Sequence, residues 1–132
     1  MSSTGSGFEV ELSEVNGYLP VATLRGRLTQ FSESSLLSIL NARTKNSGVV
    51  ALDFSGVDSI SGTGLIPLFV LATKARQRGI LLYAVNLTDH YKRVFRLARL
   101  DIGIYTAGSM AEVRLAAFHH RTAAGSQSRV QE

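Results

Sequence analysis

The sequence predicts an α/β fold: a mostly parallel mixed sheet with an antiparallel hairpin along its N-terminal edge and about four helices. Three observations carry this. Strand-like and helix-like segments alternate along the chain, which favours parallel pairing through helical crossovers. Val49-Val50-Ala51-Leu52 is an unbroken apolar run, as expected of a strand covered on both faces. Asn16-Gly17, a tight-turn dipeptide, separates two strand-like runs near the start.

The elements follow in order. Phe8, Val10 and Leu12 alternate with Glu9, Glu11 and Ser13, the pattern of a half-buried strand. Tyr18 to Leu24 returns as its hairpin partner, and Pro20 within it points to an edge or a bulge. Ser32 is placed to cap a helix running to about Thr44, with Leu36, Ile39 and Leu40 inward. After the strand at 49–52, Leu65, Leu68, Phe69 and Ala72 recur at helical spacing. Lys74, Arg76 and Arg78 suit the negative end of that helix, and Gly79 ends it. Ile80 to Val85 reads as another buried strand. Thr88 or Asp89 caps a third helix, with Tyr91, Val94, Phe95 and Ala98 inside and Lys92, Arg96 and Arg99 outside. Ile102 to Tyr105 forms a short last strand, and Ser109 caps a final helix through about Phe118. Residues 1–7 and 119–132, rich in small and polar types, read as flexible tails around a domain at 8–118. The functional loops of such a sheet lie beyond the carboxyl ends of its strands, here beginning near Gly26, Asp53, Asn86 and Thr106.

Composition narrows the chemistry. A chain of 132 residues closes one core, and a 45% hydrophobic content is that of an ordinary globular protein. The absence of cysteine excludes disulfides, thiolate metal sites and Cys nucleophiles. The N-terminus lacks the basic and apolar pattern of a signal peptide, and the longest apolar run, Leu65 to Ala72, is too short to span a bilayer. The expected location is cytoplasmic, without membrane insertion. The net charge of +4 favours acidic partners, but the cations are spread over several elements as solvated faces are. The stripe of Lys92, Arg96 and Arg99 lacks aromatic interleaving, so nucleic acid is not expected.

One segment concentrates the turn chemistry. Asp53, past a buried strand, can accept hydrogen bonds from amides near Ser55 and Gly56. Gly56, Gly62 and Gly64 permit tight turns, and Ser61 or Thr63 can cap the next helix. Pro67 belongs in that helix's first turn, which favours Thr63 as the cap. The helix start leaves unpaired amides facing the loop, a setting that suits a phosphate or a carboxylate. Gly62-Thr63-Gly64 is not a dinucleotide fingerprint, because Pro67 stands where a third glycine is needed. His90, His119 and His120 lack metal-ligand spacing, and Ser61 has no evident triad partners. No catalytic residue, metal site or cofactor is assigned.

Residues 53–65, DFSGVDSISGTGL, carry a resemblance to the STAS domain, found in bacterial anti-sigma factor antagonists and in the cytoplasmic tails of sulfate-type anion transporters. The family pattern there is Asp-Leu-Ser-x-Val-x-x-Met-Asp-Ser-Ser-Gly-Leu. Asp53, Phe54, Ser55, Val57, Ile60, Gly64 and Leu65 match it directly or conservatively. Gly26-Arg27-Leu28-Thr29 stands where the family has Gly-Glu-Leu-Asp. Ala75 to Gly79 before Ile80-Leu81-Leu82 resembles its helix–Gly–strand step, and Val94 to Asp101 its helix ending in Gly-Leu-Asp. The resemblance covers about residues 8–118.

It implies a non-catalytic regulatory module that docks on a serine-kinase-type anti-sigma factor through Arg27, Ser61, Gly62, Thr63, Gly64, Leu65 and Ile66, with Asp53, Ser55 and Gly56 shaping the loop. In the antagonists that kinase phosphorylates a loop serine and breaks the contact. Here the acceptor position is Gly62, its preceding Asp is Ser61, and the following Ser is Thr63. The switch is therefore altered or absent, with Thr63 and then Ser61 as the candidate phosphoacceptors. Arg27 is expected beside the loop, making it more positive. The alternatives are an accessory subunit of a membrane transporter and a small-ligand or nucleotide sensor. Assembly as a homodimer stays open.

Overall fold

The computed structural model describes residues 2–5, 7–41 and 48–130, with side chains over 7–41 and 48–120. Its six strands lie side by side in chain order. β1 (Ser2–Gly5), β2 (Phe8–Val15) and β3 (Leu19–Leu28) are antiparallel. β4 (Val49–Ile60), β5 (Leu81–Val85) and β6 (Ile104–Thr106) extend the sheet in parallel from β3. The helices are α1 (Glu33–Asn41), α2 (Leu65–Gln77), α3 (Asp89–Leu97) and α4 (Met110–Val130).

The predicted mixed sheet with an antiparallel N-terminal edge is therefore present. Asn16 and Gly17 both have positive φ, 56° and 71°, at the centre of a turn that Tyr18 N closes by donating to the Val15 carbonyl at 3.3 Å, within a three-residue connection. Pro20 is at a local edge, paired with β2 on one side only. It sits near the start of β3, before pairing with β4 begins at Val21, so its missing N–H removes no bond of that ladder.

Alternation along β4 builds a core on each face. Val50, Leu52 and Phe54 join Phe8, Leu24, Leu36, Leu68, Leu71 and Phe95 under α1, α2 and α3. Val49 and Ala51 face the other way, with Leu19, Val21 and Val85 under Val113 and Ala117 of α4. Phe54 and Phe95 meet edge to face, ring centroids 5.9 Å apart.

Several boundaries differ from the sequence reading. β4 does not end at Asp53. Its pairing with β5 stops at Asp53–Val85, but it continues along β3 to Ile60 through two register irregularities. Gly56 lies on this irregular stretch, where a Cβ would approach the Leu24 carbonyl oxygen to 2.9 Å. Ser32 is not the cap before α1. Thr29 takes that role for a short 3-10 turn, Gln30–Ser32: its Oγ1 accepts from Phe31 N, while Ser32 Oγ accepts from Thr29 N at 3.0 Å. The expected helix end near Thr44 lies outside the described residues. The segments read as tails carry structure. Ser2–Gly5 pairs with β2, which requires only backbone groups, and α4 runs to Val130. Arg99 adopts a left-handed backbone, φ 60° and ψ 25°, between α3 and a 3-10 turn at Leu100–Ile102. For a residue other than glycine this costs roughly 1–2 kcal/mol. Among the described residues, no helix is long and apolar enough to cross a membrane.

Phe95 is fully buried at the junction of α3 and β4. Phe95→Ala is expected to lower unfolding stability by about 3–5 kcal/mol, read as a reduced midpoint in urea denaturation.

Candidate functional site

The loop at 61–64 is fastened from two sides. Ser61 N donates to the Leu28 carbonyl at 3.0 Å, tying the loop to the end of β3. One residue earlier, Ile60 N donates to the Tyr91 hydroxyl at 3.0 Å, tying it to α3. Gly64 is buried against the same Leu28 carbonyl. Any Cβ at 64 would collide with that oxygen and lie 2.9 Å from its carbon. The glycine is thus required by close approach and not by its backbone angles, which are ordinary for a helix start.

The helix begins through a 3-10 turn, Gly62–Gly64, before α2. Ser61 caps it, and not Thr63 as expected. Ser61 Oγ accepts from Gly64 N at 3.0 Å, and the Ser61 carbonyl accepts from the same amide at 2.9 Å. The extra turn moves the cap two residues upstream, so Pro67 still falls in the first turn of α2, where its missing N–H is an orphan anyway. Thr63 Oγ1 lies 3.2 Å from Ser61 Oγ and is exposed. Gly62 is also exposed, and a Cβ there would have open space within 4 Å.

Asp53 is a structural hub upstream of the loop. Its Oδ1 accepts from Ser55 N and from Asn86 Nδ2, both at 2.9 Å. Burial pushes its carboxyl upward, but the bonds from Asn86 and Ser55, with the charge of Arg25, outweigh this and hold it below its ordinary value. Asn86 itself has φ of 60°, a left-handed position that asparagine tolerates. The bond therefore joins the irregular part of β4 to the end of β5.

The predicted site residues are only partly gathered. Ser61, Gly62, Thr63 and Gly64 form the turn, Leu65 is half-buried behind it, and Ile66 is 56% exposed on α2. Arg27 makes contacts elsewhere. Its amide donates to Gly7 at 3.1 Å, and its Nη2 would lie 3.9 Å from a Cβ on Gly7, so the guanidinium reaches toward β2. Among the described residues it makes no hydrogen bond or ion pair to 61–64. The reason is pairing: Arg27 opposes Ser59, and it is Leu28, one step on, whose carbonyl meets the loop. Phe31, 66% exposed, belongs with the site and was not read from the sequence. It projects from the 3-10 turn at 30–32, which packs against 62–64 and α2. Tyr91 and Asn86 were also missed as supports, since their bonds to the site span 31 and 33 residues. Among the described residues, no group of three or more His, Cys, Asp or Glu side chains is placed to share a metal.

Comparison with known proteins follows the same outline. A family model described as "Mlab, STAS domain" matches residues 6–112. No curated protein matches. Among solved structures, the chain resembles an anti-sigma factor antagonist from Mycobacterium paratuberculosis, with 16% identity and a TM-score of 0.65, covering 83% of this chain and 93% of that one. It resembles the protein TM1081 with 16% identity and a TM-score of 0.67, over 80% and 86% of the two chains. The unphosphorylated form of the anti-sigma factor antagonist SpoIIAA aligns with 12% identity and a TM-score of 0.54, over 83% and 97%. At these identities the likeness is one of fold.

Two outcomes follow from the geometry. Tyr91→Phe leaves the Ile60 amide unpaired and is expected to cost about 1–3 kcal/mol in chemical denaturation, with faster amide exchange at Ile60. Because the folded state holds Asp53 below its ordinary value of 3.8, its ionised form stabilises the protein above that pH. The contribution is lost as pH falls through the lower folded-state value. The stability difference between wild type and Asp53→Asn, measured by urea titration, is expected to be constant near neutral pH and to shrink below about pH 4.

Proposed function

The chain belongs to the STAS domain family, and from that premise we propose that it is a regulatory binding module that works as an anti-sigma factor antagonist, docking on a serine-kinase-type anti-sigma factor through the loop at 61–64. The observation that carries this reading is the loop's construction. It is exposed at Ser61, Gly62 and Thr63, yet held by the Leu28 carbonyl, the Tyr91 hydroxyl and the Ser61 cap. A preorganised polar loop flanked by the exposed Ile66 and Phe31 suits protein recognition, because little ordering entropy is lost on binding. Arg27 contributes in this reading at the margin of the contact, from the β2 side. No general base or nucleophile pair is needed for such a role.

The phospho-switch is altered. Gly62 offers no hydroxyl where the antagonists carry their acceptor. Ser61 Oγ is engaged as the helix cap, so a phosphate on it disturbs the Gly64 amide it serves. Thr63 is the better acceptor, exposed and, among the described residues, bonded only to Ser61 Oγ. A phosphate there adds about 1.5–2 negative charges at the centre of the contact and opposes docking on an acidic or apolar surface.

The test is capture of the partner followed by phosphorylation. Affinity capture is expected to recover an ATP-binding serine/threonine kinase, and Ile66→Glu is expected to weaken that binding at least about tenfold, a loss of roughly 1.4 kcal/mol, without lowering the melting temperature. With the captured kinase and ATP, Thr63→Ala is expected to abolish phosphate incorporation while Ser61→Ala retains it. Gly62→Ser, which meets no steric obstacle, is expected to gain a second acceptor. Recovery of a membrane permease or no kinase at all, or full binding by Ile66→Glu, overturns the reading.

A further inference from the structure

We propose that the groove between α2 and the turn at 99–103 is a second docking surface, for an acidic amphipathic segment of a protein partner. The groove has a volume of about 260 Å³. Its apolar lining comes from Phe69, Ala72, Leu100 and Ile102, and its rim carries Arg76 and Arg99. The turn packs tightly on the helix: a Cβ at Gly103 would lie 2.8 Å from Ala72 Cβ, so the floor closes only because residue 103 has no side chain. Ile102 remains 54% exposed and Phe69 40% exposed, leaving apolar surface unfilled.

The rim selects the occupant by charge. Arg76 and Arg99 are exposed, and neither forms an ion pair among the described residues. Asp101 is the one carboxylate of the turn, and Arg96 adds a further exposed cation at the end of α3. Arg99 lines this rim from a left-handed backbone that glycine would adopt without strain. Two guanidiniums beside an apolar trough complement a segment with a few apolar side chains flanked by carboxylates, since each guanidinium can take a carboxylate bidentately. A concave apolar floor cannot reach into a bilayer, and it offers little to a phosphate backbone. None of residues 61–66 lines this groove.

The experiment uses the full chain and a short fluorescein-labelled helical peptide with one leucine face and glutamates elsewhere. A lysine counterpart of that peptide, phosphatidylglycerol vesicles and a single-stranded oligonucleotide are measured in parallel. The acidic peptide is expected to bind and to shift the amide resonances of Thr73 and Gly103. Arg99→Gly is expected to weaken this binding about tenfold while melting at or above the wild-type temperature, and Arg76→Gln to weaken it similarly. Ile66→Glu, which impairs the loop surface, is expected to leave it unchanged, so failure here is distinguishable from failure of the proposed function. Equal binding of the lysine peptide, unchanged binding by Arg99→Gly, or binding of vesicles or oligonucleotide in place of the acidic peptide overturns the proposal.

Discussion

The carbonyl of Leu28 is the point on which the site depends. It ends β3, accepts the Ser61 amide, and fills the space that a side chain at 64 would occupy. These two contacts fix where β4 stops and where α2 starts. With the turn seated, the Ser61 cap closes on Gly64, Pro67 falls where helices accept it, and the apolar face of α2 meets the core through Leu68 and Leu71. The Tyr91 hydroxyl supplies the opposing support from α3. A backbone group two elements away thus sets the geometry of a loop whose own residues are small.

Much of the fold was legible in the chain. The alternation of Phe8, Val10 and Leu12, the Asn16-Gly17 turn and the apolar run at 49–52 each report a local rule that the tertiary structure obeys. The boundaries that moved did so for local reasons. Asp53, Gly56 and Asp58 look like a loop by composition, but backbone pairing with β3 continues through register shifts that sequence pattern does not encode. Choosing Thr63 as the cap assumed an α-helix from its first residue, whereas a 3-10 turn precedes it.

The site was legible in outline but not in its supports. Glycine at 64 and a hydroxyl at 61 follow from turn and cap chemistry. The partners that hold them do not, because Asn86 and Tyr91 reach the segment from distant elements and signal only as a turn residue and a helix-face aromatic. Arg27 shows the opposite failure. Its place in the sequence suggested the loop, but its guanidinium lies near Gly7.

The strand order bears on how the chain assembles. Each strand pairs only with its predecessor and successor in sequence, so no pairing waits for a distant segment to arrive. Every ladder closes one loop of modest length, and closure entropy grows slowly with that length. Each crossover adds a helix to a sheet edge already formed. Such a topology keeps the separation between paired strands as short as its helical crossovers allow. Of the two edges open at any stage, one is the edge the next strand is tethered beside, so there the chain itself competes against aggregation.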